Sequence, residues 1–216
     1  GIVSVPDPSG LFTSQHADPV PGTSITVTME GRRPLLAELQ ALVAPSPLPQ
    51  PRRTSNGVDS GRLAMVLAVL ERRCKVKLFN HDVYVSTVGG AKVGDPSADL
   101  AAAVAVASAA YDRSVGPRVI ALGEIGLAGE LRRVPGTDRR LAEAARLGFT
   151  DAVVPAASDS ARDRMTSLRA GVRVHAAATL QQALAALSLG PPGRSGQDSP
   201  RSAATSSRTR GATSSA

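Results

Sequence analysis

The sequence predicts a mixed α+β domain with α/β-like alternation, in which helices pack on a sheet. Three observations predict it. An early run alternates β-branched with other residues, the middle holds an Ala-rich helix that is apolar on most faces, and the second half passes repeatedly from short apolar strands to amphipathic helices. With 216 residues, 42% of them hydrophobic, the chain suffices for one domain with a substantial core.

Residues 1–22 carry four prolines among turn-forming residues and read as an extended lead-in linker. The domain proper is placed at 23–189. Thr23 to Glu30 (TSITVTME) is a strand by alternation. Pro34 to Ala44 (PLLAELQALVA) fits a helix or a strand by period; its shortness, between Arg-Arg-Pro and the cluster PSPLPQP, selects a strand. In Asp59 to Lys75, Leu63, Val66, Leu67 and Leu70 recur at helical spacing, with Asp59 or Ser60 as N-cap and Arg72, Arg73 and Lys75 at the end that favours cations. Lys77 to Val88 (KLFNHDVYVSTV) is expected to form a hairpin about Asn80-His81-Asp82. Asp95 and Pro96 are expected to cap and start the central helix LAAAVAVASAAY. Beyond it, strands are expected at Arg118–Leu122 and Gly129–Val134, around a turn at Gly123-Glu124-Ile125-Gly126. Then come a helix Asp138–Leu147 stopped by Gly148, a buried strand Asp151–Pro155, a helix Ser158–Arg169, a strand Val172–Ala176 and a last helix Leu180–Leu187.

Charge and composition narrow the function classes. The net charge is +7, but residues 190–216 hold Arg194, Arg201, Arg208 and Arg210 against Asp198, so +3 of it lies in a Ser/Thr/Arg-rich tail and +4 in the rest. That tail has no apolar period and is expected to remain disordered. Aromatics make up 2% with no Trp, so a platform of rings for stacking bases is not expected. The single cysteine, Cys74, allows no internal disulfide and no cysteine-based zinc site, which suggests a reducing, cytoplasmic setting. No apolar run approaches the roughly 20 residues of a spanning helix, so no membrane partner is expected. The chain begins at Gly1 without a leader or initiator Met and is read as a piece of a longer one.

Three segments in order carry a resemblance: MEGRRPLLAELQALV with PRRTSNGVDSGRLAMVLAVLERR, then VGGAKVGDPSADLAAAVAVASA, then GEIGLAGELRRV with RRLAEAARLGFTDAVVP. Together they resemble the C-terminal Lon-protease-like domain of the bacterial DNA repair protein RadA (Sms) family, over about Val5 to Leu189. The resemblance implies a Lon-protease/ribosomal-S5-domain-2-like sheet with packed helices. It also implies a full-length, hexameric, DNA-dependent ATPase or helicase acting in homologous recombination and branch migration, with DNA and the recombinase RecA as partners. The family's zinc finger and ATPase core would precede Gly1, so ATP, Mg and Zn are expected there and no cofactor here. The sequence agrees with that division, since it contains no G-x-x-x-x-G-K-[ST] string. The glycines at Gly123, Gly126 and Gly129 lead into a strand with no lysine and read as tight turns.

Lon peptidases use a serine whose proton passes to a lysine. By resemblance Ser97 stands at the nucleophile position and Arg140 at the lysine position, with Asp138, Arg139 and Leu141 as its neighbours. A guanidinium stays protonated and cannot act as the base, so the dyad is broken and no catalytic residue is expected. His16, His81 and His175 have no zinc-binding spacing, and Asp95 and Asp99 are explained by helix capping and the helix dipole. What remains is paired positive charge. Arg52-Arg53 is read as lying in a loop, Arg132-Arg133 at a strand end and Arg139-Arg140 at a helix start, and these six are the candidate phosphate contacts to DNA. In a hexameric ring, six copies of a modest patch sum their fields. The other readings are a ring scaffold, or a vestigial Lon-type peptide-binding or oligomerisation module, without DNA contact.

Overall fold

The computed structural model describes residues 19–156, 167–169 and 171–190. Most of the expected lead-in and all of the tail from 191 onward lie outside them. The first two strands, β1 (Thr23–Glu30) and β2 (Arg33–Pro45), pair antiparallel from Thr23 opposite Gln40 to Glu30 opposite Arg33. The segment with an ambiguous period is thus a strand, as its proline boundaries require. Next come β3 (Arg53–Asn56), α1 (Ser60–Cys74) and β4 (His81–Thr87). The α1 N-cap is Asp59, whose side chain accepts the Arg62 N–H at 2.8 Å. A 3-10 turn, Pro96–Ala98, leads directly into α2 (Asp99–Tyr111).

The second half contains β5 (Val119–Ala121), β6 (Glu124–Ile125), β7 (Leu131–Arg132), α3 (Thr137–Arg146), β8 (Asp151–Pro155), β9 (Ser167–Arg169), β10 (Val172–Ala177) and α4 (Leu180–Ala186). Eight strands form one mixed sheet in the order β3-β4-β2-β1-β5-β8-β10-β9, while β6 and β7 pair separately. The β5-β8-β10 run is parallel, and α3 lies in the connection from β5 to β8.

The sheet separates two apolar clusters. On one face α1, α2 and α4 pack on Leu39, Val83, Val85, Ala121 and Val153. On the other, Leu141 and Ala144 of α3 meet Val27, Leu36, Ile120, Ala152 and Val154. Successive residues of β5 and β8 thus enter opposite clusters, which explains their continuous apolar sequence. Helix α2 is buried from Asp99 through Ser108, so an all-round apolar helix is the right solution for the domain centre.

Four expectations are corrected. Lys77–Val88 is not a hairpin: the residues before His81 pair with no strand, and β4 instead lies between β2 and β3. Arg53 belongs to a strand rather than a loop, because Arg53–Asn56 completes a parallel ladder with Val83–Ser86. Glu124–Ile125 is a strand paired with Leu131–Arg132, rather than only a turn. The helix expected at Ser158–Arg169 is a strand at its described end, Ser167–Arg169, held antiparallel to β10; its earlier part lies outside the described residues.

Candidate functional site

The segment Asp95–Ala98 enters α2 under three backbone constraints. Asp95 caps the 3-10 turn by accepting the Ser97 N–H at 3.0 Å. The Ser97 carbonyl accepts the Gly123 N–H at 2.9 Å, and the Gly123 carbonyl accepts the Leu100 N–H at 3.0 Å. Position 123 must be glycine for space, since a Cβ there would sit 2.9 Å from the Pro155 ring. The β5–β6 connection therefore closes directly on the serine.

Arg140, in the second turn of α3, reaches this segment from across the fold. Its Nη1 donates to Ser97 Oγ at 2.9 Å and to the Val27 carbonyl at 2.5 Å, its Nη2 to Asp95 Oδ2 at 2.5 Å, and its Nε to the Pro135 carbonyl at 3.2 Å. Arg140 is 2% exposed and Ser97 0%. Burial pushes the Asp95 carboxyl up, but the Ser97 N–H and the Arg140 guanidinium outweigh it and hold it below the ordinary range.

This arrangement is unsuited to nucleophilic catalysis for three reasons. A cation donates to the serine oxygen, the carboxylate beside it has a lowered proton affinity, and the hydroxyl has no surface for a substrate to approach. Cys74 is no alternative nucleophile, because burial pushes its thiol up to about 11. Asp99 also has a structural partner: it receives Arg62 Nε at 2.9 Å and Nη2 at 2.5 Å, and the Ile125 N–H at 3.2 Å. His175 Nε2 lies 2.8 Å from Asp151 Oδ1 and joins β10 to β8. Among the described residues no group of His, Cys, Asp and Glu could hold a metal ion, and no helix is long and apolar enough to cross a membrane.

The six candidate phosphate contacts divide. Arg140 is a correction, since a buried guanidinium committed to four acceptors cannot meet a phosphate in solution. Arg132 is 57% exposed but paired to Glu130 at 2.6 Å and to Glu124 at 3.7 Å. Arg53 is exposed, with Nη1 donating to the His81 carbonyl and Nη2 to the Leu78 carbonyl at 2.8 Å. Arg52, exposed, anchors only its backbone, donating its N–H to Asp82 Oδ1 at 2.7 Å. Arg133 and Arg139 are exposed and line one open depression with Pro135, Gly136 and the first turn of α3. The sequence did not reveal that Asp95 serves Arg140 as well as its own turn, because the partners lie 45 residues apart.

The chain is similar to known proteins. A family model described as subunit ChlI of Mg-chelatase matches residues 64–158. The chain is 53% identical over 184 residues to a protein named DNA repair protein RadA from Mycolicibacterium smegmatis, covering 85% of this chain and 38% of that protein. It is 48% identical over 176 residues to the protein of that name from Mycobacterium tuberculosis, covering 82% of this chain and 37% of the relative. The Streptococcus pyogenes protein is 46% identical over 155 residues, 72% of this chain and 34% of its own length. The chain thus spans little more than a third of the curated relatives it matches. Over that span, with a serine sealed by an arginine, the chain belongs to the RadA family of DNA repair proteins.

Proposed function

We infer that this chain is a DNA-contacting and ring-scaffolding domain of a RadA-type DNA repair ATPase acting in homologous recombination and branch migration, and that it has no peptidase activity. The observation that carries the reading is the burial of Arg140 against Ser97 and Asp95, which turns a peptidase centre into a structural joint. With that chemistry closed, the exposed arginines are the remaining polar feature suited to a macromolecular ligand. Arg133 and Arg139 share one depression, and Arg52 stands at the sheet edge. Exposed guanidinium groups can meet phosphates, and contacts to phosphate are independent of sequence and weakened by salt. ATP and Mg chemistry, and any zinc, are assigned to parts of the relatives that this chain does not span, and RecA is the partner expected of the assembled protein.

The scaffold component rests on another feature. Leu42 is 60% exposed on the sheet face opposite α1 and α2, paired across the strands with Tyr84, which gives that face an apolar centre suited to a neighbouring subunit. A hexameric ring formed through such surfaces also multiplies the modest charge of each copy.

Reversing Arg133 and Arg139 to Glu is expected to weaken binding about equally for unrelated DNA sequences. It should flatten the slope of log affinity against log salt by about one unit for each phosphate no longer neutralised. Unchanged affinity and slope on both single- and double-stranded DNA would leave those arginines as ordinary surface. Light scattering on the same samples reads ring formation separately. A fluorophosphonate serine probe is expected to leave the chain unlabelled; labelling at Ser97 that disappears in Ser97→Ala would restore the peptidase reading.

A further inference from the structure

The segment between α1 and β4 has an alternation that no strand partner uses. Val76 and Leu78 are buried at 2% and 0% exposure, while Lys75, Lys77 and Phe79 are exposed, Phe79 to 86%. The two lysines and the ring line one open groove. Phe79 is the most exposed large apolar side chain among the described residues.

The backbone that carries the ring is fixed by hydrogen bonds. The His81 N–H bonds to the Leu78 carbonyl at 3.0 Å, closing a turn with Phe79 and Asn80 at its centre, and the Asn80 carbonyl accepts the Ser46 N–H at 2.8 Å. Arg53 clamps the same turn through the Leu78 and His81 carbonyls. At the other end Lys75 takes a left-handed conformation, φ 59°, after which the Val76 N–H bonds to the Leu70 carbonyl at 3.1 Å. Phe79 therefore sits on a turn fixed at both ends by backbone bonds and buried neighbours.

Beside the ring lies an open groove that is also lined by Ala68, Glu71, Arg72, Lys75 and Lys77. Three cations face one carboxylate there, and among the described residues Arg72, Lys75 and Lys77 take part in no salt bridge. A ligand that matches an unpaired aromatic face beside unpaired cations is a polyanion that carries flat apolar rings. Duplex DNA presents the charge but keeps its base faces stacked, whereas a single strand presents both.

We propose that this groove is a single-stranded nucleic-acid site, in which the Phe79 ring stacks on a base while Arg72, Lys75 and Lys77 meet the flanking phosphates. The proposal rests on the DNA-contact reading above and adds a strand preference and a residue that supplies it. One exposed ring beside three cations suffices for a local site, even though the composition leaves no platform of several rings to expect.

The test measures binding of the full chain to a labelled oligothymidylate, to an abasic strand of equal length and to a duplex. Phe79→Ala is expected to weaken oligothymidylate binding about 5- to 100-fold, the effect of removing one base stack, with the salt slope unchanged. Abasic-strand and duplex binding should not move, and Phe79→Trp should retain affinity. Lys75→Gln with Lys77→Gln should flatten the single-strand salt slope by about 0.7 per lysine. If Phe79→Ala leaves oligothymidylate affinity intact while the Arg133 and Arg139 reversals still weaken DNA binding, the stacking site is overturned and the DNA-contact reading stands. Loss of abasic-strand affinity in Phe79→Ala, or a fall in oligomer mass by light scattering, also overturns it by making Phe79 a protein contact. If the wild-type chain binds none of the three nucleic acids, both readings fall.

Discussion

One guanidinium at position 140 gathers acceptors from β1, from the turn before α2 and from the loop before α3. Its position is therefore fixed more strongly than any single ion pair requires. Removing one partner of a buried pair leaves the other uncompensated, which typically costs about 3–5 kcal/mol. Asp95 is the charged partner, and its folded-state pKa lies below its unfolded value, near 3.9 for an unperturbed aspartate. A group lowered on folding contributes stability that is complete above the unfolded pKa and is lost as pH falls through the folded one. Asp95→Asn is thus expected to lower the unfolding free energy at pH 7 by about 3 kcal/mol. The gap between variant and parent should narrow below about pH 4. Urea titrations across that range check it. A gap that stays constant down to the most acid condition would show that Asp95 acts through the neutral cap and not through its charge.

At the scale of elements, the sequence was legible wherever a local rule decided the outcome. Helix α1 needed only the Leu63, Val66, Leu67 and Leu70 stripe and the Asp59 cap, both of which it uses. β2 needed only its proline boundaries. The failures occurred where a distant partner decided. Lys77–Phe79 alternates as a strand does, but the partner position beside β4 is occupied by Arg53–Asn56, whose short polar sequence gave no strand signal of its own. The alternation survives as a pattern of burial without a ladder, which is how Phe79 comes to be exposed. The Ser97 and Arg140 positions were legible only through the family resemblance, and their burial was not. Residues 139 and 140 read as equivalent in sequence, yet the turn of α3 sends one outward and the other into the core. Helix α2 shows the opposite case, since a run apolar on every side permits only a central place.

For the whole molecule, the described core closes at Leu189, which is 3% exposed and donates its N–H to the Leu184 carbonyl at 2.8 Å. Among the described residues, every buried member of the first apolar cluster lies at or before Leu189, and the second ends at Val174. The sequence of residues 191–216 has no apolar period, so they are expected to add nothing to either cluster. They do carry Arg194, Arg201, Arg208 and Arg210 against Asp198, so removing them lowers the net charge from +7 to +4. Stability and polyanion affinity should therefore separate. Deleting 191–216 is expected to leave the thermal midpoint within about 1 °C, because the deletion removes no member of either described cluster. The same deletion should reduce the salt slope of duplex DNA binding by up to about 3.6 units if all four arginines reach phosphates, and by nothing if they remain solvated. Calorimetry and a salt series on parent and truncated chains read the two effects independently. A midpoint lowered by several degrees would mean that the deleted residues pack against the domain, and the core would then have to be redrawn to include them.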